Sequence, residues 1–224
     1  MPSIEYVIGV DECGYGALAG PLIIAAAAFP VAAAKVTAEI HGAKGSRILE
    51  VCDSKKLKKQ EHRALLAEAI RTASPAYAVI ERTPAEIDEA LVGRALMDGT
   101  ALAISRCLEK LLIANREMSA RSVIVLIDGD GEEPAVPCSV RRVAGGDESD
   151  WRIGSASILA KDAHDQRIAQ LHERHPAWGF DKSRGYPTAS HKAALKSLGP
   201  IAGVHRLSYA PVRESRGDIQ GLER

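Results

Sequence analysis

An apolar run from Ile4 to Val10, broken by Glu5 and Gly9, predicts a core strand. Two carboxylates, Asp11 and Glu12, follow at once, then glycines at 14, 16 and 20, Pro21, and a second apolar run from Leu22 to Phe29. Neighbouring strand residues face opposite ways, so Asp11 and Glu12 can serve one site only if the strand stops there, where the glycines begin. Residues 30–52, rich in alanine and small polar residues, predict a connection or a surface helix. Leu57, Leu65, Leu66, Ala69 and Ile70 approximate helical spacing, with Asp53 or Ser54 as the cap and Lys55, Lys56, Lys58 and Lys59 in the first turn. Cations there oppose the helix dipole, which a phosphate-holding role would explain and a solvated lysine run would not need to.

Ala76 to Glu81 predicts a strand, and Pro84 opens a helical region to about Asn115 with Gly93 or Gly99 as its break. Ser122 to Ile127 is the strongest buried-strand pattern, and it runs into Asp128-Gly129. Acids at the end of a core strand mark the usual place for a site in an α/β sheet. Pro137 to Val143 predicts a further strand, leading to Gly145-Gly146-Asp147 on a flexible turn. Residues 153–167 predict a helix with Ser157, Lys161 and Asp165 on one face and Asp162 as an alternative acid for that surface. A short helix is expected over 188–198.

The 224 residues suit one sizeable domain with room for an appendage, and 29 basic against 29 acidic residues leave no global pull towards nucleic acid. Any such partner needs a local patch, for which Lys182, Arg184, Lys192, Lys196, His205, Arg206 and Arg213 are the available cations. Tyr186, between Gly185 and Pro187, is either a ring presented to a nucleotide or a ring filling the core in a turn. Cys13, Cys52, Cys107 and Cys138 show no C-x-x-C pairing, and His172 and His175 read as surface residues rather than ligands. The absence of a leader pattern and of a run of about 18 apolar residues sets a cytoplasmic expectation with no membrane partner.

Two phosphate-loop readings fail. The glycine spacing is G-x-G-x-x-x-G without Gly-Lys-Ser/Thr, and two carboxylates stand where phosphate would need positive charge. Divalent metal between acids and phosphate turns that repulsion into attraction. The D-G-D-G-E-E run at 128–133 is not a calcium loop, because its twelfth position is Ser139 and Glu133 stands where glycine should be.

Taken together, G-V-D-E-x-G-x-G-x-x-x-G-P (9–21), D-S-K-K-L (53–57), I-D-G (127–129), G-G-D (145–147), S-A-S-I-L-A-K (155–161), G-F-D-K-x-x-G-Y-P-T (179–188) and H-R-x-S-Y-A-P-V (205–212) resemble ribonuclease HII. The resemblance implies a ribonuclease H-like α/β fold, a central mixed five-stranded sheet flanked by helices with a C-terminal helical extension. It implies a catalytic core over 1–168 and a basic substrate-binding extension over 169–224. The implied activity is hydrolysis of the RNA strand of RNA–DNA hybrids and nicking 5′ of ribonucleotides embedded in duplex DNA, by a monomer using two Mg²⁺ or Mn²⁺ ions. By the same resemblance Asp11, Glu12, Asp128 and Asp147 hold metal, and Asp165 is a further catalytic acid on the helix. Gly14, Tyr15, Gly16 and Tyr186 would read the ribonucleotide, and Ser54, Lys55, Lys182 and Arg184 would hold phosphates.

The chain departs from the family pattern in three places. Tyr15 stands where Arg is usual between the glycines, His164 stands where Arg usually precedes the helical acid, and the 30–52 connection is longer. Tyr15 prompts a rival within the class, a hybrid-cleaving enzyme with a weakened preference for single ribonucleotides. From a different class, a non-catalytic nucleic-acid-binding module would use the acids only to shape the fold. A nucleotide-cofactor oxidoreductase is remote, for the charge reason given above.

Overall fold

The computed structural model describes residues 3–42, 45–51 and 59–220, with backbone alone for 41–42, 45–47 and 216–220. A five-stranded sheet has the order β5-β2-β1-β6-β7, built from β1 (Tyr6–Cys13), β2 (Leu22–Pro30), β5 (Ala76–Arg82), β6 (Val123–Asp128) and β7 (Ser139–Val143). β6 runs parallel to both β1 and β7. A second sheet pairs β3 (Thr37–Gly42) antiparallel to β4 (Gly45–Glu50). The helices are α1 (Gln60–Ala73), α2 (Pro84–Ala90), α3 (Val92–Ala114), α4 (Gly146–Ser149), α5 (Trp151–Arg174), α6 (Phe180–Ser183), α7 (Ala189–Leu198) and α8 (Ala210–Gln220).

The chain gathers into two compact units. The first comprises 1–12, 24–80 and 98–162, and the second 13–23, 81–97 and 163–224. In the first, β2 is buried from Ile24 through Phe29, as a strand between two covered faces requires. Val123, Val125 and Ile127 alternate with half-buried neighbours on β6, and Ala76, Ala78 and Ile80 do the same on β5. Leu66 and Ile70 of α1, Ile104 and Leu111 of α3, and Ile153 and Leu159 of α5 complete that core. The start of α5 lies hard against β1. A methyl group on Gly9 would come 2.1 Å from the Arg152 carbonyl oxygen, so only glycine fits. In the second unit, Ala19, Ile168, Leu171, Phe180 and Val204 form one apolar cluster, and Leu18, Leu195 and Val212 form another.

Several expectations need correction. β1 does not stop at the acids but stays extended through Cys13; what ends there is its ladder with β6, whose register runs from Tyr6↔Val123 to Val10↔Ile127. Residues 30–52 hold neither a plain connection nor a helix but the β3–β4 pair, whose signal was the period-two exposure of Thr37 to Ile40 beneath an alanine-rich composition. The cap of α1 is Lys59 rather than Asp53 or Ser54, and it makes no side-chain capping bond; residues 52–58, with Ser54, Lys55, Lys56 and Lys58, lie outside the described residues. Lys59, the described member of the lysine run, stands before the first helical turn, which carries Glu61.

The break in the 84–115 helical region falls at Leu91 rather than at Gly93 or Gly99. Leu91 takes φ 65° and its carbonyl accepts the first bond of α3, from Ala95 N–H at 2.9 Å. Asp147 lies in the first turn of α4 and not on an open turn, because Gly145 in the left-handed region (φ 62°) starts that helix. α5 extends beyond 153–167 at both ends.

Candidate active site

In the first unit the ends of β1 and β6 bring acids together. Asp11 follows Val10 and Asp128 follows Ile127, the last paired residues of the two parallel strands. Asp11 is buried, and its Oδ1 accepts the Glu12 backbone N–H at 2.8 Å. Burial pushes its pKa up to about 7, and the charges of Glu12 and Asp128 push the same way. The Ser157 hydroxyl, buried on α5, leans towards Asp11 and opposes the rise without a well-formed hydrogen bond. Glu12 is also raised, first by burial and then by the charge of Asp128, while Arg142 draws it down.

Asp128 and Asp147 are linked through backbone. Asp128 Oδ1 accepts N–H bonds from Gly146 at 2.6 Å and from Asp147 at 3.3 Å, so the start of α4 is held against the end of β6. The Asp147 carboxylate lies 3.8 Å from Lys161 Nζ. Among the described residues, no three His, Cys, Asp or Glu side chains are gathered closely enough to hold an ion as they stand. The contacts among Asp11, Glu12, Asp128 and Asp147 are pairwise. Their donors are all hard carboxylate oxygens, and Asp11 is buried and Glu12 half-buried at a cost that a nearby cation would offset, so the set suits a hard divalent ion.

Of the other predicted site residues that are described, Asp165, Lys182, Arg184, Gly14, Tyr15, Gly16 and Tyr186 lie in the second unit. Asp165, buried on α5, pairs with Arg184 Nη1 at 2.7 Å, so Arg184 has a carboxylate partner of its own. Asp162, the alternative acid, is buried in the first unit and pairs with Arg71 at 2.7 Å. Lys182 is exposed on α6. Gly14 holds φ +92°, and a methyl group there would come 2.9 Å from the His164 ring, so that ring occupies the space beside the loop. Gly14 N–H donates to the Tyr186 hydroxyl at 3.2 Å; a methyl group on Gly16 would meet nothing within 4 Å. Tyr15 presents its ring at 44% exposure while its carbonyl accepts from Arg206 Nη1 at 2.9 Å and from Tyr209 Oη at 2.6 Å. Tyr186 is half-buried, and burial pushes its phenol above the ordinary range.

The expected basic patch is smaller than its sequence suggests. His205 and Arg206 are fully buried; Arg206 also donates to Gly20 O at 3.0 Å, tying the glycine-rich loop down from inside. Lys182, Lys192, Lys196 and Arg213 are exposed. Arg142 was not anticipated. It follows Arg141 on β7, opposite Ile127, and donates to the Asp128 carbonyl at 3.2 Å. A basic pair on the strand before Gly145-Gly146-Asp147 was its only sequence signal.

A ribonuclease H2 from Pyrococcus horikoshii has this fold, with a TM-score of 0.70 and 20% identity over 98% of this chain and all of that one. A Bst-RNase HIII solved in complex with Mn²⁺ matches with a TM-score of 0.63 and 20% identity over 96% of this chain and 70% of that one. The mixed sheet with acids at its strand ends is thus the fold of a ribonuclease H. The ribonuclease HII family profile matches residues 8–212, and a ribonuclease HII of Maricaulis maris is 35% identical over 213 residues, 95% of this chain and 85% of the relative. The chain belongs to the ribonuclease HII family and is an endoribonuclease H.

Proposed function

We propose that this enzyme hydrolyses the RNA strand of RNA–DNA hybrids and nicks duplex DNA 5′ of embedded ribonucleotides, with Asp11, Glu12, Asp128 and Asp147 holding two divalent ions. The observation that carries the reading is the buried Asp11 carboxyl, raised to about 7 among the charges of Glu12 and Asp128. Acids crowded and desolvated in this way make sense as ligands and little sense as scaffold. The set suits Mg²⁺ or Mn²⁺, which when bound would lower the pKa of an attacking water and stabilise the leaving 3′-oxygen. Asp128, braced by two backbone N–H groups, presents its other oxygen in a fixed direction. Lys161 offsets charge at Asp147. Asp165 is a further catalytic acid on this reading.

Recognition belongs to the Gly14-Tyr15-Gly16 loop and Tyr186. Backbone groups of the loop meet the 2′-OH that separates RNA from DNA, and the Tyr186 ring packs on the following sugar. Ser54, Lys55, Lys182 and Arg184 hold phosphates without reading sequence, Arg184 by exchanging its Asp165 partner. On this reading residues 1–168 are the catalytic core, 169–224 the substrate-binding extension, and the enzyme acts as a monomer. A second reading, cleavage of hybrids with weakened preference for single ribonucleotides, is favoured by the exposed Tyr15 ring where a guanidinium is usual.

The test is cleavage of a duplex carrying one ribonucleotide and of a long hybrid, with and without Mg²⁺ or Mn²⁺. Metal-dependent nicking 5′ of the single ribonucleotide is expected. No cleavage under any metal condition refutes both readings, and activity confined to the long hybrid leaves only the second.

A further inference from the structure

The backbone of Tyr186 is held at both ends. Its N–H donates to Ser183 O at 2.9 Å, and its carbonyl accepts Thr188 N–H at 2.8 Å while lying 3.0 Å from His191 Nδ1. The opposite nitrogen of His191, Nε2, lies 3.2 Å from His205 Nε2, and His205 Nδ1 lies 3.0 Å from Ile201 N. Both rings are fully buried, with Phe180 against each of them, at 5.3 Å and 5.7 Å between centroids, and Trp178 beside His205.

One assignment of protons satisfies this chain. Ile201 N–H can only donate, so His205 Nδ1 is bare and its proton sits on Nε2. That proton points at His191 Nε2, which must also be bare, leaving the His191 proton on Nδ1 to donate to the Tyr186 carbonyl. Every ring nitrogen is then used. A second proton on His191 would set two N–H groups against each other at 3.2 Å, and a second proton on His205 would face the Ile201 N–H at 3.0 Å. Burial keeps both rings below the ordinary histidine range, His205 at about 4, and the neighbouring His191 pushes the same way on His205.

We infer that His191 and His205 are positioning residues: a neutral relay from Ile201 N–H to the Tyr186 carbonyl that fixes the Tyr186 ring for recognition of a ribonucleotide. The relay explains why two histidines of a basic, nucleic-acid-facing segment are buried rather than placed among the exposed cations. It also joins the ring to the glycine loop, because the Tyr186 hydroxyl accepts Gly14 N–H. The inference rests on the proposed reading of Tyr186 as the ring that packs on the sugar.

The experiment measures kcat/KM on a one-ribonucleotide duplex and on a long hybrid for the wild-type enzyme, His191→Phe, His191→Asn and Tyr186→Ala, with ¹⁵N NMR of the wild-type histidines. Loss of the buried hydrogen bond in His191→Phe lowers the single-ribonucleotide-to-hybrid ratio about fivefold. His191→Asn, whose amide can take the place of Nδ1, restores most of it. The spectrum shows His191 protonated at Nδ1 and His205 at Nε2. A folded His191→Phe enzyme with the wild-type ratio overturns the inference while Tyr186→Ala still lowers it. If Tyr186→Ala leaves the ratio unchanged, the reading of Tyr186 falls and takes the relay's role with it. Should His191→Phe not fold, the spectrum decides: the opposite tautomer at either ring overturns the relay.

Discussion

Replacing Asp11 by asparagine removes the charge of this carboxyl while keeping its size and one acceptor oxygen. In the folded chain its pKa is about 7 against an ordinary 3.8, chiefly through burial. Below pH 3.8 the group is protonated in both states and contributes nothing. Between about 4 and 7 the unfolded chain gives up the proton and the folded chain keeps it, so stability falls as pH rises; above 7 the loss is complete. At about 1.4 kcal/mol per pH unit, the interval of roughly 3 units corresponds to about 4 kcal/mol, an order-of-magnitude figure for metal-free protein. Urea melts in EDTA from pH 4 to 8 measure it as the stability of Asp11→Asn minus that of wild type, a difference expected to grow through this window and level off above it. At pH 8, added Mg²⁺ should stabilise the wild type more than the variant, since binding to the native state alone adds to its stability. A difference that stays flat from pH 4 to 8 would refute the reasoning, because the buried charge would then cost nothing.

Three further outcomes follow from the geometry. Asp128→Asn keeps the acceptor for Gly146 N–H, so its melting temperature should stay near wild type while metal-dependent cleavage falls by more than about a hundredfold; unchanged cleavage would remove Asp128 from the proposed metal-holding set. Gly9→Ala drives a methyl group into the Arg152 carbonyl and should cost at least about 3 kcal/mol in a denaturation experiment, or prevent folding. Tyr15→Arg restores a guanidinium to the exposed loop and should raise the preference for a one-ribonucleotide duplex over a long hybrid by about tenfold, the value of one charge-assisted hydrogen bond, in competition kinetics.

Ile4 to Val10 and Ser122 to Ile127 were legible as core strands, and Leu22 to Phe29 as a run entering the core, because a short unbroken apolar stretch bounded by acids or glycines suits a strand covered on both faces and is written in consecutive residues. The family was legible for a related reason: seven short blocks in fixed order leave few chains that could carry them, and the ribonuclease HII match runs from residue 8 to 212. The β3–β4 pair was hidden because alanine suits helix, strand and connection alike, so composition outweighed a weak alternation. The break at Leu91 was hidden because a positive φ costs least at glycine, and Gly93 and Gly99 stood nearby.

What the linear order by itself determined was therefore the apolar runs of the main sheet, the family and the acidic character of the proposed site. Tertiary structure alone decided which charges are spoken for. Arg184 pairs with Asp165, Arg71 with Asp162, and Arg206 spends its donors on the carbonyls of Tyr15 and Gly20 instead of joining a surface patch. Each of these partners is 19 to 191 residues away in sequence. Desolvation follows the same rule: the rise at Asp11 comes from the atoms packed around it, and no local pattern records how much water a side chain has lost.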